Sequence, residues 1–508
     1  MDKNQGIINQ GLSGMPAEVS VRAFGAVGDG FADDTSALQR ALDSGARRVI
    51  VPPGCFLIRR TLEPAAGQCV VIDGTIKIAD AERSPLARDV RSGDRSVLVE
   101  DASGFQVGDT ISIHDDKLPI QGGGRKVRRE RAGHAKVLSI AGDELLLDRS
   151  AFRTFSPTAN GFAARQNGAI WIRHSAVRLC GTGCLDGNWS NQLNAAPGFL
   201  DMDSSEVHPG ASGVTVQGDG WLDGVIIEGI TVRNFTLHGI SLRQADLSIV
   251  RNVTVEAVHD KGIALWNCRD CRISGNLCRD SVFEDGIMLH QVKDPSNGCR
   301  RIFIEGNICR NNARYGIHVG AGMSEIHLAN NLCSENGFNL SIYGDHCTST
   351  ADVASGTTDR LFLAAVYRPN VLLGGRHLSV TNLSAYGTRF VGVEICGQAI
   401  QLQGGLIGPM DAPVSCNEPG AKHPLLGEWG RGSGEFFIDG DCRIGIAIVP
   451  GLTGRGKTNI PADVMISNVS ICGCRLDLEL SPQAERVETG KLIKLRDEEC
   501  VQRGFSEI

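Results

Sequence analysis

The chain has 508 residues, a formal net charge of −7 at pH 7, 63 glycines and only 5% aromatic residues. This modest charge gives no general attraction to nucleic acid or to a membrane surface, so neither is expected as a partner. A hydrophobic fraction of 42% argues against disorder, and the glycine content favours short strands joined by tight turns.

The N-terminal residues predict a flexible leader over 1–18, followed by a cap and the first coils over 19–95. The start Met-Asp-Lys-Asn-Gln lacks the basic-then-apolar pattern of a secretory signal. No window is long and apolar enough for a membrane span. We therefore expect a cytoplasmic protein, with export by a non-classical route as the alternative.

A short amphipathic helix is expected inside this cap. Asp33 or Asp34 is a suitable N-cap residue, and the apolar positions that follow share one helix face: Ala37, Leu38, Ala41 and Leu42. Such a helix would close the open end of a solenoid.

Residues 96–150 interrupt the pattern and predict a small β-rich insertion, because short apolar strands alternate there with glycine turns. Its basic run at 125–131 is interpreted as a solvated loop. The parallel coils are expected over 151–481, with irregular excursions at 188–213 and 410–436, and a C-terminal tail over 482–508.

Near-repeats between residues 228 and 345 are the strongest signal in the chain. A glycine precedes the apolar step of each repeat at Gly239, Gly262, Gly286 and Gly316, with spacings of 23, 24 and 30 residues. Repeats of this length, rich in Val, Ile, Gly and Asn, predict a parallel β-helix with one coil per repeat.

The 17 cysteines fit the same repeat. Cys278, Cys309 and Cys333 occupy one slot, which Thr231 and Thr254 are expected to fill in the two preceding coils. A column of small side chains indicates a packing ladder rather than a secreted disulfide framework. Cys268 and Cys271 resemble half a zinc site, but no second pair accompanies them, so no metal site is predicted.

Three segments carry a family resemblance. FGAVGDGFADDTSALQRAL (24–42), VIVPPGCFLI (49–58) and GTGCLDGN (181–188) resemble the pectate-lyase-like right-handed β-helix superfamily. The resemblance implies an all-β, single-stranded, right-handed parallel β-helix with an N-terminal capping helix. It also implies an oligo- or polysaccharide partner, because the superfamily includes polygalacturonase-like hydrolases, polysaccharide lyases and tailspike-type proteins.

The alternation of each strand places alternate side chains outside the solenoid. Arg243, Trp266 and His290 then form an outward row, which is a sugar-binding platform, a chance surface mixture or an interface with another subunit. The predicted substrate-binding residues are Arg243, Trp266, His290, Arg314, Tyr315 and His318.

Acidic and basic residues collect just before the repeated glycine. Successive coils carry His238, then Asp260-Lys261, then Glu284-Asp285, then Arg314-Tyr315. When two acidic side chains lie one coil apart, their mutual repulsion raises the pKa of one and leaves the other ionised, which is the condition for an acid/base pair. Glycoside hydrolysis or transglycosylation without a cofactor is the first interpretation, with these predicted catalytic residues: Asp260, Glu284, Asp285, Lys261 and His238.

The motifs E-D-G (284–286) and L-H-G (237–239) are similar to those of polygalacturonase-like hydrolases, but that family's Asn-Thr-Asp, Asp-Asp and Gly-His-Gly motifs are missing. A β-eliminating lyase is the second interpretation, in which Lys261, flanked by Glu256, Asp260 and Glu284, is the base beside a calcium site with oxygen ligands. A non-catalytic, trimeric glycan-binding protein of the tailspike or adhesin type is the third. The loop acids Asp201, Asp203 and Glu206 are reserve candidates.

Overall fold

The computed structural model describes residues 17–115, 132–151, 153–192, 212–282, 284–291, 298–357, 369–388, 391–408, 444–452, 458–474 and 476–495. Several expectations fall outside the described residues. They concern the first 16 residues, the basic run, the loop acids Asp201, Asp203 and Glu206, and the excursion at 410–436.

The described chain winds into a parallel β-helix with three strand faces. Face 1 consists of Glu18–Ser20, Arg48–Val51, Cys69–Ile72, Arg178–Cys180, Ile226–Glu228, Ile249–Arg251, Arg272–Ser274, Arg300–Glu305, Ser324–Ala329, Thr348–Thr350, Arg376–Tyr386, Gln398–Ile407, Ala462–Ser467 and Glu485–Thr489. Face 2 consists of Asp29–Asp33, Cys55–Ile58, Thr75–Ile78, Cys184–Asp186, Thr231–Arg233, Thr254–Glu256, Leu277–Arg279, Ile308–Arg310, Leu332–Asn336, Val353–Thr357, Val469–Ile471 and Leu492–Lys494.

Face 3 carries the repeated apolar step. Its strands are Ile170–Ile172, Val214–Val216, Ile240–Arg243, Ile263–Trp266, Ile287–His290, Tyr315–Val319, Phe338–Ile342, Pro369–Leu373, Val391–Ile395, Ile444–Ile448 and Leu476–Leu480. The predicted inward residues of four coils all lie in the central core: Ile240, Leu242, Ile263, Leu265, Ile287, Leu289, Ile317 and Val319. The predicted alternation of this strand is therefore confirmed.

The N-terminal end is closed by helix α1, Thr35–Leu42. Its buried residues Ala37, Leu38, Ala41 and Leu42 join the same core as the first coils. Asp34 is the N-cap residue but makes no side-chain cap hydrogen bond, and the preceding Asp33 accepts the Thr35 N–H through its Oδ1 at 3.0 Å. Asp34 instead binds the preceding loop through the N–H groups of Val27 and Gly28. No helix in the described ranges has the length and hydropathy of a membrane span.

An antiparallel sheet projects from the solenoid and has its own apolar core. Its strands are Arg83–Pro85, Ser96–Leu98, Thr110–His114, Ala132–Ala141, Glu144–Leu147 and Phe162–Arg165. The sheet extends beyond the predicted range 96–150, because its first and last strands also pair into it. The remaining elements are the two-stranded pairs Leu222–Asp223 with Ala245–Asp246 and Gly451–Leu452 with Thr458–Asn459, and the 3-10 turns Val21–Phe24, Pro157–Ala159 and Trp189–Asn191.

The repeated glycine is explained by close approach between coils. A Cβ on Gly262 would lie 2.5 Å from the carbonyl oxygen of Gly286, and one on Gly286 would lie 2.7 Å from that of Gly316. Real Cβ atoms do not come so near a backbone oxygen, so any side chain here would force the coils apart.

Buried side-chain amides hold successive coils in register. Asn307 Oδ1 accepts from the backbone N–H and the side-chain amide of Asn276, at 3.0 and 2.9 Å. Asn307 in turn donates to Asn331 Oδ1 in the same two ways, and Asn331 donates to Asp352 Oδ1. A shift of one residue between coils would leave these buried groups without partners.

The cysteine ladder is present, but one expectation about it was wrong. Cys278, Cys309 and Cys333 pair in register and are buried in the core. The preceding coils contribute Val232 and Val255 to this column, not Thr231 and Thr254. The threonines lie one position earlier, where side chains point outward. Among the described cysteines Cys472 is disulfide-bonded, whereas thirteen are free thiols.

We expect Asn307→Ala to lower the free energy of unfolding by about 3 kcal/mol or more, because it leaves several buried groups unsatisfied at about 1–3 kcal/mol each. Those groups are the Asn276 N–H and amide and the Ile273 carbonyl. Chemical denaturation of both proteins measures the difference. Gln401→Ala removes an exposed amide from a strand and is the matched control. Equal effects of the two substitutions would contradict the ladder's role.

Candidate functional site

Two adjacent slots before the repeated glycine bring the predicted charged residues together. The N–H of Gly239 donates to the Lys261 carbonyl, that of Gly262 to the Asp285 carbonyl and that of Gly286 to the Tyr315 carbonyl, at 2.8–3.0 Å. One slot therefore contains His238, Lys261, Asp285 and Tyr315 in successive coils. The slot before it contains Leu237, Asp260, Glu284 and Arg314. We call His238, Asp260, Lys261, Glu284, Asp285 and Arg314 the acidic edge.

Ion pairs connect the acidic edge. Lys261 Nζ donates to Asp260 Oδ1 at 2.8 Å, and Arg314 Nη1 donates to Glu284 Oε2 at 2.6 Å. His238 Nδ1 lies 3.2 Å from Asp260 Oδ2, without the alignment of a hydrogen bond. Two carboxylates are thus compensated by two cations.

Asp285 is the remaining carboxyl group, and it is fully buried. Burial raises its pKa to about 7, and the neighbouring negative charge of Glu284 acts in the same direction, against Arg314 and Lys261. Its Oδ1 accepts the Tyr315 N–H at 3.1 Å, whereas Oδ2 has no hydrogen-bond partner among the described residues. A carboxyl group with a raised pKa beside carboxyl groups that pair with cations is an arrangement that acid/base catalysis uses.

His238 is a neutral imidazole in the first coil of the acidic edge. Burial lowers its pKa well below 6.5, and the positive charges of Lys261 and Arg243 lower it further. Its Nε2 has no hydrogen-bond partner among the described residues. The ring lies 5.1 Å from that of Trp266.

Ser281 is a supporting residue that the sequence did not single out. Its Oγ donates to the Asp260 carbonyl at 2.6 Å and accepts the Glu284 N–H at 3.2 Å. It therefore links two coils directly below the acids. A serine three positions before Glu284 was the available signal, but a serine in a turn has too many ordinary roles to be distinctive.

The exposed sugar platform expected from Arg243, Trp266 and His290 was wrong in one respect. The three residues do pair in register, and Trp266 lies outside the central core. Trp266 is nevertheless only 1% exposed and Arg243 only 7%. The Arg243 guanidinium lies 4.6 Å from the centroid of the Trp266 indole. It therefore occupies the position over the indole face where a sugar ring would stack. Only His290 of this row is partly exposed.

The other predicted substrate-binding residues form a separate aromatic stack one coil further on. The rings of Tyr315 and His318 are stacked at 4.4 Å, and Phe338 lies 4.9 Å from Tyr315 on the next coil. Arg314 lies 4.7 Å above the Tyr315 ring and joins this stack to the acidic edge. Both stacked rings are largely buried.

The calcium arrangement expected for a lyase is not formed by Glu256. This residue lies on face 2, where its Oε2 accepts from Arg279 at 2.5 and 3.0 Å. The spacing of five residues to Lys261 crosses a corner of the solenoid, so the two side chains belong to different faces. Cys268 and Cys271 are core residues whose thiols donate to backbone carbonyls, as members of a packing ladder do.

Two further titratable residues were missed. His259 is buried with its ring 4.7 Å from that of Trp189, and burial lowers its pKa to about 4. Glu394 is an outward residue of face 3 that is 6% exposed, and burial raises its pKa to about 7. The in-and-out alternation of Val391–Ile395 was the signal that could have found Glu394.

The unfolding free energy is expected to depend on pH through Glu394. Its folded pKa is raised from 4.5 to about 7, so stability contributed by the neutral form is lost as pH rises through about 7. Between pH 6 and 8 this one group accounts for about 1.4 kcal/mol. Denaturation curves of Glu394→Gln should therefore fall less steeply with pH than those of the unmodified chain. The exposed Glu488→Gln is the control, and identical pH profiles for all three would contradict the assignment.

Comparison with known proteins agrees with this architecture. The family model described as "Right handed beta helix region" matches residues 190–355. A comparison with curated proteins gives no match.

Solved structures extend the similarity over most of the chain. Gene product 12 of bacteriophage phi29, in its pre-mature form, is 14% identical with a TM-score of 0.57 and covers 94% of this chain, which spans 52% of that protein. The A-module of the mannuronan C-5 epimerase AlgE6 of Azotobacter vinelandii is 13% identical with a TM-score of 0.50, covering 94% of this chain and 99% of the module.

A hyperthermoactive exopolygalacturonase of Thermotoga maritima is 14% identical with a TM-score of 0.46, covering 94% of this chain and 91% of the enzyme. At such identities the similarity establishes the fold alone. The predicted fold is confirmed: the described chain is a right-handed parallel β-helix.

Proposed function

We propose that this protein is a carbohydrate-active enzyme that acts on glycosidic linkages of an oligo- or polysaccharide through the acidic edge. The observation that carries the proposal is that the carboxyl groups of the acidic edge differ in their environment. Asp285 has a pKa of about 7, whereas Asp260 and Glu284 each pair with a cation. One protonated and one ionised carboxyl group are what glycoside hydrolysis requires.

In this mechanism Asp285 is the general acid. Its proton passes to the glycosidic oxygen as the bond to the anomeric carbon breaks. Asp260 or Glu284, on the neighbouring slot, either takes a proton from the water molecule that attacks the anomeric carbon, or attacks this carbon itself, after which water hydrolyses the glycosyl ester. Lys261 and Arg314 pair with these two carboxylates, and Ser281 fixes the backbone between them.

We propose a sugar polymer as the substrate class; the module of a mannuronan C-5 epimerase shares the fold. The elimination alternative is less well supported, because Glu256 pairs with Arg279 on another face. Lys261 already donates its Nζ to Asp260.

Non-catalytic glycan binding is the second candidate. The closed ion pairs and the burial of every residue of the acidic edge except Arg314 count against catalysis by these residues, and glycan binding would then use another part of the surface. A network that only supports the fold would show the same pairs, so activity and stability must be measured on the same variants.

We expect Asp285→Asn to reduce turnover by about 10²–10⁴-fold, the usual contribution of a general acid. The fold should be kept, because an amide oxygen can accept the Tyr315 N–H as the carboxyl group does. Release of reducing ends, absorbance of unsaturated uronates and binding without turnover are measured on one panel of polysaccharides. Thermal unfolding of the variant is recorded in parallel.

Asp270→Asn is the matched control, since Asp270 pairs with Arg301 on the surface, away from the acidic edge. Full activity of Asp285→Asn would rule out the assignment. A large loss of stability in this variant would instead identify a structural network. Binding by the unmodified chain without product on any substrate of the panel would favour the second candidate.

The pH dependence of turnover gives a second test. Because Asp285 must be protonated to donate, kcat/KM should decline as pH rises above about 7. Glu284 raises the pKa of Asp285, so the turnover that Glu284→Gln retains, with Asp260 as the base, should decline at lower pH. A decline that stays in place in Glu284→Gln would show that another group controls it.

A further inference from the structure

A cluster of two histidines and an aspartate lies at the corner where the chain leaves face 3. Asp345 and His346 follow the strand Phe338–Ile342, and His377 lies in the next coil, in the strand Arg376–Tyr386. The backbones of Asp345 and Arg376 form a parallel β-bridge, and the His346 N–H donates to the Arg376 carbonyl at 3.0 Å. The two histidines therefore occupy the same slot of adjacent coils.

This slot has the left-handed backbone conformation throughout the described coils. His346 and His377 have φ values of 52° and 53°. The members of the column are Leu247, Asp270, Arg301, Glu325, His346, His377, Ala399, Asp463 and Arg486. A repeated conformation directs successive side chains alike, so neighbours in this column stack on one another.

Elsewhere in the column neighbouring residues of opposite charge pair. Arg301 donates to both carboxylate oxygens of Asp270 at 2.7 Å, and Arg486 pairs in the same way with Asp463. His346 and His377 instead place two imidazoles face to face, with ring centroids 4.4 Å apart and planes inclined by 20°. Two imidazole rings stacked on an exposed corner can bind the same ligand.

Asp345 supplies the third group. Its Oδ1 lies 2.8 Å from His377 Nδ1 and 3.1 Å from His346 Nδ1. The three atoms all lie within 4.8 Å of one another. In a tetrahedral zinc site with bonds of about 2.0–2.1 Å, ligand atoms are about 3.3 Å apart. Small rotations of these exposed side chains would therefore bring all three atoms into one coordination sphere.

We propose that Asp345, His346 and His377 form a binding site for one late first-row divalent cation, with Zn²⁺ as the reference ion. Two imidazole nitrogens and one carboxylate oxygen favour zinc, nickel or copper over calcium or magnesium. The site has an open side, because the side chains of His346 and His377 are 63% and 52% exposed. A water molecule completes the coordination there. Arg376, the positive charge that faces Asp345, weakens binding without supplying a ligand.

This site is independent of the proposed enzymatic function. It lies on coils and on a corner that do not contain the acidic edge, and bound metal would connect two adjacent coils. Binding to the folded chain alone would raise the thermal unfolding temperature.

The test is zinc uptake by the full chain after treatment with a chelator. Equilibrium dialysis against buffered Zn²⁺ with elemental analysis should give one equivalent more for the unmodified chain than for the double variant H346Q/H377Q. The single substitutions His346→Gln and Asp345→Asn should each lower the affinity for this zinc ion at least tenfold. Residues that only hydrogen-bond to a metal ligand already contribute about 10–100-fold to metal affinity, and a direct ligand should contribute no less. The unfolding temperature should rise with Zn²⁺ in the unmodified chain and less in the double variant.

His174→Gln is the matched control, because it removes an exposed histidine from another coil. It should bind zinc like the unmodified chain. Equal uptake and affinity in the unmodified chain and H346Q/H377Q would overturn the proposal. So would a loss in His174→Gln as large as that in the double variant. Ca²⁺ in place of Zn²⁺ should give no difference between the variants, and a calcium-specific difference would overturn the choice of ion.

Discussion

Hydrogen bonding between buried side-chain amides of successive coils is the interaction on which the rest of this structure depends. In the ladder Asn276–Asn307–Asn331–Asp352, the side-chain oxygens of the last three members each accept two donors from the previous coil. Apolar packing alone tolerates sliding of one coil over the next, because the inward Ile, Leu and Val residues are similar in shape. Buried polar groups do not tolerate it, so they fix the register.

Because the register between coils is fixed, residues far apart in sequence come into contact in adjacent coils. Asp260, Glu284 and Arg314 are 24 and 30 residues apart in sequence, yet they are neighbours in one slot. The two cations balance two of the three carboxylates, and burial makes ionisation of the third unfavourable. The raised pKa of Asp285 thus follows from coil stacking together with local charge balance. The same stacking places His346 on His377 at another corner.

The sequence predicted what depends on period. The glycine spacing and the alternation around Gly262 and Gly286 were sufficient for the fold and for the inward residues of face 3, because each coil repeats the same local geometry. Adjacency of His238, Asp260 and Glu284 followed from the same register. The capping helix was predictable because its apolar face has helical spacing.

The features that could not be predicted from the sequence depend on where the corners of the solenoid fall and on how deeply each outward side chain is buried. Glu256 and Lys261 are close in sequence but lie on different faces, since a corner separates them. Thr254 pairs with Leu277 and not with Cys278, because Asn252 and Asn276, which look equivalent in the sequence, lie one residue apart in register. Trp266 points out of the core as expected, but whether an outward indole is exposed depends on its neighbours in space, among them Arg243.

The most direct test of this account is the titration of Asp285 itself. Carbon-13 NMR of aspartate-labelled protein can follow its carboxyl carbon, with Asp285→Asn identifying the signal. The account predicts a midpoint near pH 7 and a lower midpoint in Glu284→Gln. A midpoint near 4, the ordinary value for aspartate, would show that the carboxyl groups of the acidic edge are not brought together as described.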